Sequence, residues 1–405
     1  MSDTPDDGVR ARPVGHKPAG RARSLLLDVR VLRVGFQVGV LALVGGLLFW
    51  LNDNLGVNLR SQNLNLSFDY LDRQAGFSFA YSPFSPADSI LDALLAGLRN
   101  TIIVAAVGMV LTLILGTLVG IGRLSSNWLV RKAAGTYVET FRNLPPLLVV
   151  LFTNTILLLS LPTGSMENAT EVGDWLVLSV RGIGLVSAQD GGDLGPYLML
   201  LAVTGVVAVG VGRWRGWQEA RTGQPARRWA WGLAPWLATA AVGFVALGGP
   251  IGLSHPRPVP PSQIVGGTAM SLPYVAVLVG LVLYTASHVA EIVRGSILSV
   301  PTGQNEAATA IGLTSPQRLR YVVLPQAFRV AVPPLINQGL NLTKNTSLGV
   351  VVGYAEVMYV AETVVGNNSP AIQTYLVVMG MYLVLSLLIS AVGNVANWRL
   401  RQVDR

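Results

Sequence analysis

Eight apolar stretches, at about 32–51, 101–122, 144–161, 196–212, 229–249, 272–293, 330–352 and 371–396, constrain this chain more than any other feature. A helix needs about 20 apolar residues to cross the hydrocarbon of a bilayer. In that medium every backbone polar group must be satisfied within its own segment or barrel. The sequence therefore predicts an all-α integral membrane protein with about eight transmembrane helices. Composition agrees: hydrophobic residues make up 51% of the chain and charged residues 12%. A soluble surface needs about twice that charge. The stretches at 144–161 and 196–212 are short, and 229–249 contains Pro235.

The net charge of +8 could suggest nucleic acid, but arginine retained on the cytoplasmic side of a membrane accounts for it equally well. With the N-terminus inside, 22 Arg and Lys residues fall on inner segments and five on outer ones. Both termini are then cytoplasmic, in a multi-pass membrane protein that contacts lipid and no nucleic acid. Residues 1–31 read as a disordered cytoplasmic tail, 32–51 as a first helix and 52–96 as an outer loop. The outer segments are mildly acidic and read as solvated surface. There is no cysteine, and the histidines at 16, 255 and 288 are too scattered for a metal site. No catalytic pair at usable spacing appears in the spans.

One polar element does not fit a plain connector. "GQNEAATAIGLTSPQRLRYVVLPQA", residues 303–327, lies on the inner side between two spans. Ala307, Ala308, Ala310 and Ile311 give it a small-residue face, and Glu306 one directional charge. Gly312 suits a left-handed helix stop, and Pro316 is expected to keep the helix from resuming at once. Such an element looks like a docking knob.

The spacing of Glu306, Ala307, Ala308, Gly312, Leu324 and Pro325 resembles the EAA loop (about 303–325) of ABC importer permeases, with Val322 where the family has Ile. "RNTIIVAAVGMVLTLILGTLVGIGRL", "YVETFRNLPPLL", "ASHVAEIVRGSILSVPTGQNEAA" and "LPQAFRVAVPPLINQGLNLTKNTSL" resemble the polar amino acid branch of that family. The resemblance implies a five-helix permease core in two parts, 97–161 and 271–405, with three extra helices. One extra helix precedes the core, and two lie in an insertion at 162–270. The arrangement is similar to the larger permease subunit of general L-amino acid ABC transporters. It implies three kinds of partner: an ATP-binding cassette ATPase dimer, a second homologous permease and a periplasmic amino acid-binding protein. A phosphate loop needs Gly before its Lys, and none of Lys17, Lys132 and Lys344 follows Gly. ATP and Mg would therefore be held by the partner ATPase.

Charges inside a membrane are costly and mark functional positions. Ser287, His288, Glu291 and Arg294 share one helical face, and Glu291 is the main carboxylate expected within a span. Arg142 precedes the span at 144–161, and Asn341, Lys344, Thr346 and Ser347 lie in the span at 330–352. Arg142 could grip a substrate carboxylate, with Lys344 as its alternative, and Glu291 an ammonium. Asn341, Thr346 and Ser347 would complete the hydrogen bonds. Plainer roles stand beside these: a Glu291–Arg294 ion pair, an interfacial anchor for Arg142, and a helix-end cap for Lys344. Trp214, Trp217, Trp229 and Trp231 read as an interfacial belt. An ion-coupled secondary transporter is the rival function, and would require inverted repeats and paired midplane carboxylates.

Overall fold

Residues 29–61, 67–79, 84–191, 193–223, 228–249, 251–367 and 369–401 are described by the structure, a computed structural model. The expected tail lies outside the described residues up to residue 28. The chain divides into two units, Met1–Phe68 and Asp69–Arg405. In the first, helix α1 (Val29–Ser61) carries the apolar stretch Arg33–Leu51.

The second unit is built around α7 (Leu272–Leu298), against which α2 (Ile90–Gly122), α4 (Pro146–Ser160) and α10 (Leu324–Asn345) pack. α2 begins at a capping box in which Ser89 Oγ accepts from the Asp92 N–H at 3.1 Å and the Ser89 N–H donates back to Asp92 at 3.2 Å. α12 (Ala371–Arg401) lies against α10 and α11 (Val357–Gly366).

All eight apolar stretches fall on helices, though not all as single spans. Among the described residues, α1, α2, α5 (Leu194–Thr222), α7 and α12 are long and apolar enough to cross a membrane alone. α6 (Arg228–Ala246) is shorter in its apolar part, Ala230–Ala246. The other two stretches belong to bent helix pairs. Residues read as an inner loop form helix α3 (Trp128–Asn143), which meets α4 at 110°. The cause is the Pro145–Pro146 pair: Leu144 before it is held extended at φ −92°, ψ 143°, and Pro146 opens the next helix. The stretch at 330–352 continues past Gly353 (φ 77°) into α11, which is bent by 45°.

The segments expected on the outer side hold more than solvated loop. β1 (Thr170–Val172), β2 (Leu176–Ser179), β3 (Gly182–Leu185) and β8 (Thr268–Met270) form an antiparallel sheet in that order. β4 (Ser187–Asp190) pairs with β5 (Ile251–Ser254), and β6 (Arg257–Val259) with β7 (Gln263–Val265). Met166, Val177 and Ile264 give these strands a small core of their own. Alternation in "WLVLS" fits a strand with one covered face, which a reading by charge alone passes over.

Candidate functional site

Where α2 meets α7 the backbones come very close. A Cβ on Gly116 would lie 2.5 Å from Val289 Cγ1, and one on Gly120 would lie 2.7 Å from the Ala290 carbonyl oxygen. Small residues at such contacts let membrane helices approach closely. The approach carries Arg123, at the end of α2, onto Glu291 of α7, with Arg123 Nη1 donating to Glu291 Oε2. Arg294 reaches the same carboxylate from one turn away, its Nε donating to Oε1 at 3.2 Å. Arg142, at the end of α3, completes the cluster at 3.8 Å. Three guanidinium groups thus converge on one carboxylate and leave a net positive site. Arg142 is the loosest of them, its side chain 42% exposed against 19% for Arg123.

Arg142 and Glu291 are therefore brought together, and the Glu291–Arg294 pair is present as well. Arg123 was not singled out in the sequence, where it reads only as an inner loop charge. His288, one turn before Glu291, sits edge-on to Tyr284 with its Nε2 buried and without a partner among the described residues.

The remaining candidates lie on α10 and the 3₁₀ segment after it, Thr346–Val352. No hydrogen bond or ion pair joins them to the arginine cluster among the described residues. Asn341 and Lys344 are exposed, together with Asn337, on one face of α10. Thr346 is buried and donates to the Thr343 carbonyl at 2.7 Å. Ser347 donates to the Lys344 carbonyl at 2.8 Å and lines a cavity of about 710 Å³ with Tyr375, Val378 and Tyr382.

Behind that cavity lies a carboxylate that the sequence reading passed over. Glu356, not Glu291, is the enclosed one, at 0% exposure. It caps α11 by accepting from the Tyr359 N–H at 2.9 Å, and it accepts from the Tyr382 hydroxyl of α12 at 2.7 Å. Asn100 of α2 donates to the neighbouring Ala355 carbonyl at 2.8 Å, and the Val357 N–H donates to Thr101 at 3.3 Å. This elbow is thereby fastened to α2 and α12 together. The available signal was the run "VMYVAETVVG", whose apolar residues recur at helical spacing directly after a capping Glu.

The knob is formed by α8 (Thr302–Ala310) and α9 (Ser315–Arg318). Gly312 adopts φ 81°, in the left-handed region, and the Leu313 N–H donates to the Ala308 carbonyl at 3.1 Å. Two details correct the sequence reading. Pro316 does not hold the helix off but sits in the first turn of α9, where its missing N–H costs nothing. Ala308 is buried at 3% exposure rather than part of an outward face, while Glu306, Ala307, Ala310 and Ile311 are exposed. Arg318 Nη1 donates to Thr309 Oγ1 at 2.7 Å and ties α9 to α8. Leu324 and Pro325, both exposed, open α10 beside a small core of Val300, Val323 and Ala327.

Residues 108–402 match the family described as binding-protein-dependent transport system inner membrane component. The chain is 35% identical over 387 residues to the general L-amino acid transport system permease protein AapQ of Rhizobium johnstonii, covering 95% of this chain and 96% of that protein. It is 35% identical over 384 residues to the putative amino-acid ABC transporter permease protein YhdX of Escherichia coli, covering 91% and 94%. The glutamate/glutamine/aspartate/asparagine transport system permease protein BztB of Rhodobacter capsulatus is 35% identical over 422 residues, covering 96% and 98%. Nothing in these matches favours the ion-coupled alternative. With its apolar helices and exposed helix–glycine–helix knob, the chain belongs to the inner membrane components of binding-protein-dependent transport systems.

Proposed function

We propose that this chain is the larger permease subunit of an ATP-driven importer that carries L-amino acids into the cytoplasm. The observation that carries this reading is the knob. Among the described residues, no side-chain hydrogen bond or ion pair engages its exposed face of Glu306, Ala307, Ala310 and Ile311, whereas Ala308 and the Arg318–Thr309 bond keep it rigid. A rigid, small-residue protrusion suits transmission of force from a partner ATPase, which would hold ATP and Mg. A second homologous permease and a periplasmic amino acid-binding protein complete the assembly, and both termini lie in the cytoplasm, as the arginine distribution requires.

An unpaired lysine facing lipid would be costly, so the exposed Asn337, Asn341 and Lys344 face belongs against the second permease or a polar path between the two. The amino acid passes along that face toward the arginine cluster. Arg142 offers its fork to the α-carboxylate, and Glu291 holds the guanidinium groups in place and accepts from the ammonium as Arg142 disengages. Asn341 and Ser347 supply hydrogen bonds and Lys344 is the second carboxylate partner, whereas the enclosed Thr346 hydroxyl stays on the Thr343 carbonyl.

Gly312→Leu forces a side chain into a left-handed backbone position, and Glu306→Lys reverses the one exposed charge. Both variants should insert normally yet lose most binding-protein-stimulated ATPase activity in the purified complex. Unchanged stimulation in both would refute the docking role. Arg142→Gln should lower uptake by about tenfold or more with basal ATPase intact, and parent-level uptake of every amino acid would make Arg142 structural.

A further inference from the structure

Helices α5 and α6 form a hairpin that packs chiefly against itself, and one end of it carries groups that transport does not use. A groove of about 620 Å³ runs between the two helices. Gly205, Gly212 and Gly232 keep it shallow-walled, and a Cβ on Gly232 would lie 2.9 Å from the Ala208 carbonyl oxygen. Trp236 forms one wall, held by its Nε1 donating to the Leu201 carbonyl at 3.0 Å. Toward the α5–α6 turn the groove meets Arg213, which is exposed and has no hydrogen-bond or ion-pair partner among the described residues.

The surroundings of Arg213 are those of a headgroup region. Arg215 lies over the Trp231 ring at 4.6 Å, and Arg221 over the Trp217 ring at 3.5 Å. Between Arg213 and Gly223 the chain has three arginines and one carboxylate, Glu219, so this end is positive. Tryptophan and arginine together are characteristic of membrane interfaces. An apolar helix from another protein would fill the groove but leave Arg213 without a counter-charge. A zwitterionic lipid would supply a chain but no net charge.

We infer that the groove binds one anionic diacyl phospholipid, an acyl chain lying against Gly205 and Gly212 and the phosphate on Arg213. This site is independent of the substrate path and of the knob. Basic residues near a membrane surface favour anionic lipid by several-fold each.

Native mass spectrometry of the full chain, in detergent with equal phosphatidylglycerol and phosphatidylethanolamine of matched chains, tests this. The parent should retain phosphatidylglycerol over phosphatidylethanolamine by about fivefold or more. Arg213→Gln should keep a bound lipid but lose the preference, and Gly212→Leu, which fills the groove, should retain neither. As a check against misfolding, Val209→Cys can be purified folded and then blocked with an apolar maleimide, because the chain has no other cysteine. That block should release the lipid. Equal retention of both lipids by the parent overturns the proposal, as does unchanged retention after blocking. A crosslink from Val209→Cys to a neighbouring subunit, with no lipid retained, would give the groove to a protein and overturn it as well.

Discussion

Helices α5 and α7 are of nearly equal length, 29 and 27 residues, and both are apolar enough to span a membrane. Yet α7 buries 61% of its most apolar stretch within the chain and α5 only 6%. Hydropathy reports that a segment belongs in lipid and says nothing about how many protein neighbours it has. The neighbours are reported by small residues in register with the partner. Gly116 and Gly120 of α2 fit Val289 and Ala290 of α7, and a Cβ on Gly280 of α7 would lie 2.9 Å from Val150 Cα of α4. The close approaches of α5 among the described residues are to α6, as where a Cβ on Gly232 would lie 2.9 Å from the Ala208 carbonyl oxygen, and its Val206 is 74% exposed. Charge follows the same division. α7 carries Glu291 and Arg294 inside the packed unit, whereas the arginines of α5 gather at its end.

The contrast can be broken most forcefully at Gly120. Gly120→Val places methyl groups against the Ala290 carbonyl, and backbone cannot yield as a side chain can. We expect a loss of about 3 kcal/mol or more, seen as failure to recover a monodisperse protein. Glu356→Gln is next. It keeps the shape of the elbow but weakens the bonds from Tyr359 and Tyr382, at a cost of about 2 kcal/mol, read as a lower melting temperature in detergent. The smallest effect belongs to α5: Val206→Ala should change stability by no more than about 0.5 kcal/mol. A melting shift for Val206→Ala as large as that for Glu356→Gln would mean that α5 is as enclosed as α7, and the contrast would dissolve.

The position of each apolar stretch was legible because burial in lipid requires length and composition, which a sequence states directly. The left-handed Gly312 was legible for a similar reason, since few residues other than glycine favour that backbone region. The elbow at Glu356 was not. A carboxylate between two spans reads as solvent-facing until α2 and α12 are known to close over it, and the contacts to α2 join residues over 250 positions apart. Arg123 was missed likewise, because its partner Glu291 lies 168 positions away. The α3 helix was missed although Pro145 and Pro146 were in plain view. A Pro-Pro pair marks a boundary, and only the chain on either side shows whether the boundary divides loop from helix or helix from helix.

The pairing of β3 with β8 and of β4 with β5 joins chain that precedes α5 to chain that follows α6. The excursion through the hairpin thus leaves and returns at one doorway, Gly184 opposite Ala269 and Ser187 opposite Ser254. In evolutionary terms, a detour whose two ends already touch can be gained or lost in one event without moving the helices it interrupts. In engineering terms, the same doorway is where the hairpin can be cut out and the strands rejoined by a short turn.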